Sequence, residues 1–189
     1  TLLYVAKDPV TLLSTKVYRH RVGSEQKDDE LVYEEKGHSY YLSLSRSKTG
    51  RFLYIALSST QQSEWRYASA SDPALKFSVV LPREAKHEYQ VMDVADDFVL
   101  RTNRDAKNFR VVRVPVRDVA RRELWRDVVP ARAEAFVQGF DVFKDFIAIS
   151  ERSGGLMKLR VKSWDGKQDK LIAADEPAYV MAADWTPDF

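Results

Sequence analysis

Residues 52–58 read FLYIALS, six apolar side chains in a row closed by a serine. A strand with one wet face alternates apolar and polar residues. This run does not alternate, so it reads as a short strand buried on both faces. Just upstream, SRSKTG (45–50) places Gly50 where a hairpin turn takes positive φ. The same six residues spell S-x-x-K (Ser45 to Lys48) and K-T-G (Lys48 to Gly50), both signatures of serine β-lactamases. In those enzymes one motif opens a helix and the other lies on a separate strand. Here they overlap and share Lys48, which would have to fill two roles, so the stretch is a turn.

The pattern around FLYIALS recurs. LLYVAK (2–7), FVLRTN (98–103) and FIAISE (146–151) match it, and Tyr4, Phe52, Phe98 and Phe146 are spaced by 48, 46 and 48 residues. A second series comprises TKVYRHRV (15–22), EWRYASA (64–70), FRVVRVPV (109–116) and MKLRVKSW (157–164). A third is LVYEE (31–35), FSVVLP (77–82), WRDVVP (125–130) and KLIAA (170–174). The fourth is YYLSL (40–44), EYQVMD (88–93), AFVQGF (135–140) and AYVMAA (178–183), aligned on Tyr41, Tyr89, Phe136 and Tyr179. Four short strands in each period of 43 to 48 residues are the grammar of a β-propeller blade. With the aromatic series innermost, complete blades are expected at about 39–82, 88–130 and 135–174. Residues 2–35 supply the last three strands of an earlier blade and 178–185 the first strand of a later one. The expected fold is all-β: a partial β-propeller of about three complete four-stranded antiparallel blades with strands of two flanking blades, all within one domain. Pairing of 178–185 with 2–7 would close a four-bladed ring, but only with steeper packing angles than a larger ring needs.

Bulk properties fit a globular domain. The chain has 189 residues, 44% hydrophobic and 31% charged, with 30 Lys and Arg against 28 Asp and Glu. A net charge of +2 is too balanced to point to a nucleic-acid binder. Local imbalances exist at 25–36 (net −4) and 104–132 (net +5), and solvated faces explain both more simply than docking patches. The absence of cysteine excludes disulfides, thiol catalysis and Cys-ligated zinc; it fits a cytoplasmic location and also a periplasmic one. No apolar run is long enough for a membrane span. Thr1 leads straight into LLYVA, as expected of a piece of a longer protein.

The chemistry-bearing motifs are thin. No G-x-S-x-G elbow occurs, and Ser153-Gly154-Gly155 reads as a hairpin turn. His20, His38 and His87 lack metal-ligand spacing. Trp164-Asp165 is a single WD dipeptide, without the Gly-His pairs of WD repeats. The acidic pairs Glu34-Glu35 and Asp96-Asp97 sit at strand ends or turns. No catalytic, metal or cofactor site is assigned, and no cofactor is expected. Polar residues on the innermost strands, Gln90, Asp93, Gln138 and Asp141, are the candidates for lining a central passage.

Read as blocks, DPVTLL (8–13), VYEEKGHSYYLSLSRS (32–47), RTNRDAKNFRVVRV (101–114), GFDVFKDFIAISERSGGLMKLRV (139–161) and DEPAYV (175–180) occur in one register. They resemble the middle of the propeller domain in the oligopeptidase B (protease II) branch of the prolyl oligopeptidase family of serine peptidases. The resemblance implies a parent in which a seven-bladed propeller caps a C-terminal α/β-hydrolase domain with a Ser-Asp-His triad. It implies cleavage of short basic peptides after Lys or Arg, with the cap screening substrates by size. None of the hydrolase domain lies in this chain, so no catalytic residue carries over and the isolated chain is expected to be inactive.

The expected role is therefore a non-catalytic gating segment; the alternative is a stand-alone propeller scaffold for protein binding. Nucleic-acid binding through 104–132 is a weaker reading, and neither nucleic acid nor membrane is an expected partner. Strand edges and apolar faces at the ends of an arc are association hazards, so the fragment is expected to self-associate through them.

Overall fold

The computed structural model describes the whole chain except residues 38, 173, 180, 182, 184 and 185. Backbone contacts divide it into two units, Thr1–Lys86 and His87–Phe189.

The first unit holds two sheets. β1 (Leu2–Lys7), β2 (Ser14–His20) and β3 (Glu30–Glu34) form a three-stranded meander, and β4 (Tyr41–Arg46), β5 (Phe52–Ser58), β6 (Ser63–Ser69) and β7 (Ser78–Leu81) a four-stranded one. The second unit repeats the four-stranded meander twice. Its third sheet is β8 (Tyr89–Val94), β9 (Asp97–Thr102), β10 (Arg110–Pro115) and β11 (Arg126–Val129); its fourth is β12 (Phe136–Val142), β13 (Phe146–Ser153), β14 (Leu156–Ser163) and β15 (Asp169–Ile172). Every strand pairs antiparallel with its sequence neighbour. Among the described residues there is no α-helix, only single turns of 3-10 helix. The architecture is that of a partial β-propeller. Half of the strand expected at 178–185 falls on residues outside those described (180, 182, 184 and 185).

The doubly apolar runs do become strands enclosed on both faces. In β9, Phe98, Val99 and Leu100 are all fully buried, and in β5 Tyr54, Ile55 and Leu57 are buried within 3%. β1 is only half-buried along its length. Between the first and second sheets, Val17, Tyr40, Leu42, Ile55 and Leu57 form one core cluster. Between the third and fourth, Val99, Val111, Val129, Val137, Val142, Ile147 and Ile149 belong to another. Burial at about 25 cal/mol per Å² makes these clusters the main source of sheet-to-sheet cohesion.

At the start of β4 the structure buries Tyr40 (7% exposed) and leaves Tyr41 69% exposed. Side chains alternate across a strand, so of two adjacent tyrosines only one can face the core.

SRSKTG is a β4–β5 turn. The Ser47 amide donates to the Phe52 carbonyl at 2.9 Å and the Gly50 amide to the Ser47 carbonyl at 2.9 Å. Gly50 has φ +74°, the left-handed region that glycine enters without a Cβ clash. The Ser47 hydroxyl accepts from the Phe52 amide at 3.0 Å, so it serves the turn's backbone.

Candidate functional site

Within each unit neighbouring sheets pack on each other: β4 packs against β1 and β2, and β12 against β8 and β9. The apolar clusters extend to the outer strands, with Val32 of β3 in the first unit and Val129 of β11 in the second, and long side chains bridge the sheets beside them.

In the first unit that bridge is a charged cluster. Arg83, just past β7, pairs with Glu35, and its Nε donates to Glu64 Oε2 at 3.1 Å. Arg66 Nε donates to Glu64 Oε1 at 2.8 Å. Glu35 also accepts from the Tyr33 hydroxyl at 2.9 Å and from the Gly37 amide at 2.6 Å. A Cβ at residue 37 would lie 2.7 Å from Glu35 Oε1, so any larger residue there would make the carboxylate shift. The Arg83 guanidinium lies 3.9 Å from the Tyr40 ring centre, and that of Arg66 4.8 Å from Tyr33. Both carboxylates are nearly closed to solvent, each 6% exposed.

Burial pushes the Glu35 carboxyl up, but hydrogen bonds from Arg83, Gly37 and Tyr33 outweigh it and hold the group below its ordinary range. Burial, then the bond to the Glu35 carboxylate, pushes the Tyr33 phenol up to about 12. For Arg83 burial acts downward, and the bond to Glu35 with the charge of Glu64 reverses it, so the guanidinium is raised.

In the second unit Arg101 of β9 lies 3.5 Å from the Phe109 ring centre and donates through Nε to the Val137 carbonyl of β12 at 2.7 Å. Phe109 holds φ +62°, an uncommon left-handed conformation for a bulky residue, and packs edge-on against Phe136. Burial pushes Arg101 down to about 10, with Glu88 opposing, so it stays charged at neutral pH. Nearby Glu151, 2% exposed, meets Arg132 at 2.6 Å and Arg160 at 2.7 Å. Outward, a groove of about 720 Å³ is lined by Arg113, Leu124, Arg126, Val128, Lys162 and Trp164.

The sequence candidates occupy β8 and β12, two strands that pack against each other. Gln90 and Gln138 are exposed, and Gln138 lies at the bulge between Val137 and Gly139 and accepts from Arg152 at 3.4 Å. Asp93 is 1% exposed and offers no surface to a passage, while Asp141 is half-buried. Sequence reasoning passed over Arg101 and the Arg83 cluster. A signal existed for the last: Glu35 and Arg83 are 48 residues apart, one repeat, with opposite charges.

The remaining motifs are structural. His87 Nε2 bonds the Thr102 hydroxyl at 2.9 Å and its ring stacks on Tyr89; His20 Nδ1 pairs with Asp29 at 2.7 Å; His38 lies outside the described residues. Among the described residues no group of three or more His, Asp or Glu is placed to hold a metal. The Trp164 indole donates to the Phe143 carbonyl at 2.8 Å, and Asp165 accepts from Ser163 and the Lys167 amide within its hairpin turn. Within 104–132, Arg110 pairs with Asp127, and Arg117 and Arg121 with Asp118; of the excess cations, Arg113 and Arg132 are met from outside the stretch by Asp97 and Glu151. Among the described residues no helix is long and apolar enough to cross a membrane.

Comparison with known proteins agrees with this geometry. The family model described as prolyl oligopeptidase, N-terminal beta-propeller domain, matches residues 1–185. Dipeptidyl aminopeptidase BI of Pseudoxanthomonas mexicana is 42% identical over 189 residues, all of this chain and 26% of its own length. Protease 2 of Moraxella lacunata is 32% identical over 167 residues, 88% of this chain and 24% of its own. Among solved structures, oligopeptidase B from Leishmania major superposes with a TM-score of 0.87 at 22% identity, over 94% of this chain and 26% of that one. The chain thus spans about a quarter of the relatives it matches.

Proposed function

Because the chain belongs to the prolyl oligopeptidase N-terminal beta-propeller family, we propose that it is the substrate-gating segment of a serine oligopeptidase that hydrolyses short peptides after Lys or Arg. The match over residues 1–185 carries this reading. The basic preference rests on the sequence resemblance to the oligopeptidase B branch. In this role the segment contributes no catalytic group. It contributes a stiff wall: doubly buried strands and bridged sheets that admit short chains and hold back folded ones. Its partner is the hydrolase domain of the parent. Leu31, Leu171 and Ile172, left exposed on outer strands, belong in contacts with the rest of the parent, and in the isolated segment they drive self-association.

The 42% identity to a dipeptidyl aminopeptidase favours a second reading, in which the parent releases dipeptides from free N-termini. One assay of the parent separates the two. Short peptides with Arg-Arg, Lys or Pro at the cleavage site are offered with free and with blocked N-termini, with and without a serine-directed inhibitor. Inhibitor-sensitive cleavage of blocked substrates after Arg or Lys is the expected result. Cleavage confined to free N-termini supports dipeptide release, and no cleavage of any substrate overturns the peptidase reading.

A further inference from the structure

In the third sheet Arg113 of β10 and Arg126 of β11 are paired directly opposite each other. Cross-strand partners point to one face, and two like charges placed there destabilise a sheet. Asp97 meets Arg113 at 2.6 Å, and the same guanidinium lies 5.1 Å from the Trp164 ring centre. Arg126 is exposed and, among the described residues, makes no ion pair or side-chain hydrogen bond. From the fourth sheet Lys162 of β14 reaches across to donate to the Val128 carbonyl of β11 at 2.9 Å, with Asp169 3.8 Å away. These three cations line one groove of about 720 Å³, and Val128 and Trp164, packed on the apolar cluster, give it an apolar floor. Its acids are already engaged: Asp97 by Arg113, Glu123 by Arg121 at 3.2 Å and Asp127 by Arg110 at 3.4 Å. What the groove still offers is positive charge at Arg126 and Lys162 beside that floor.

We propose that this groove docks a short acidic peptide segment of a partner protein. Asp or Glu side chains of the segment meet Arg126 and Lys162, and an apolar side chain between them lies on Val128 and Trp164. A guanidinium can hold a carboxylate through two parallel N–H donors, which makes Arg126 the anchor. The volume falls within the range of ligand sites, about 300–1,000 Å³. Three carboxylates along the groove repel a densely charged nucleic-acid backbone, whereas a peptide needs to place only one or two carboxylates at the unmatched cations. This docking lies apart from the peptidase reading and does not depend on it.

The test is fluorescence anisotropy of the full-length parent with a labelled, N-terminally blocked peptide, Asp-Glu-Leu-Glu-Asp, against its neutral counterpart Asn-Gln-Leu-Gln-Asn. The acidic peptide is expected to bind, the neutral one to bind far more weakly, and the difference to shrink as salt is added. Arg126→Gln is expected to weaken binding roughly fivefold and Arg126→Glu roughly tenfold, while Arg126→Lys retains most of it. Glu123→Gln removes a like charge from the groove and should tighten binding. Because Arg126→Gln also relieves the repulsion with Arg113, its thermal midpoint should equal or exceed that of wild type. A lowered midpoint would make Arg126 structural and overturn the proposal. Equal binding of the two peptides, or affinity unaltered by Arg126→Glu, overturns it as well. Tighter binding of a single-stranded oligonucleotide of the same charge overturns the choice of a peptide as occupant.

Discussion

The junction between the first and second sheets and the junction between the third and fourth solve one geometric problem with opposite chemistry. Each joins two sheets through an apolar cluster, with long side chains reaching across beside it. The first is charge-balanced: Glu35 and Glu64 share Arg83, with Arg66 closing the set. The second is arginine-rich: Glu151 serves Arg132 and Arg160, and Arg101 is held by an aromatic ring and a backbone carbonyl. The difference shows that a guanidinium can bridge two sheets either as a charge or as a flat, polarisable plate. Substitution separates the two uses.

The largest effect is expected at Arg83. Arg83→Met removes the cation shared by two buried carboxylates, and breaking such a pair on one side costs about 3 kcal/mol. Arg83→Lys keeps the charge and should lose roughly half as much. Urea denaturation of the protein reads both. If Arg83→Met were the milder substitution, the first junction would be held by packing and not by charge.

At Arg101 the order is expected to invert. Lysine keeps a buried charge but loses the flat face over Phe109 and the fixed donor aimed at Val137, so Arg101→Lys should cost about 2 kcal/mol. Arg101→Met also loses those contacts, but it removes the cost of burying the charge and should be the milder change at about 1 kcal/mol. The same denaturation series decides it. Equal ranking at 83 and 101 would erase the distinction between the junctions.

How much of this was legible beforehand follows from what each feature depends on. The strands were readable because FLYIALS, FVLRTN and FIAISE are apolar without alternation and recur at a near-constant step. The SRSKTG turn was readable because Gly50 marks the position that needs positive φ. The inward face of β4 was not, since Tyr40 and Tyr41 are chemically identical and only the pairing of Leu42 with Leu57 decides which one is buried. Asp93 looked like a solvated polar residue on an inner strand; its burial depends on neighbouring strands that a sequence does not place. Arg101 and Arg83 each look like one more surface cation until the sheet opposite is known. Of the candidate site, the strands were found and the side chains were only partly found.

The smallest effect lies in the pH dependence of the first junction, where the sign can be worked out group by group. Glu35 is depressed in the folded state, so its contribution is present above the ordinary carboxylate range and is lost as pH falls through the lower folded value. Tyr33 is raised to about 12, so its contribution is complete below the ordinary tyrosine value near 10 and is lost as pH climbs from there toward 12. Arg101, although burial pushes it down, is a guanidinium and keeps its charge across this range. Tyr33→Phe removes one hydrogen bond to Glu35, worth about 1 kcal/mol at neutral pH, and with it the alkaline loss. Denaturation midpoints between pH 8 and 11 are therefore expected to fall less steeply for Tyr33→Phe than for wild type. Parallel curves for the two proteins would mean that Tyr33 does not titrate against folding, leaving the contrast between the junctions to rest on packing geometry alone.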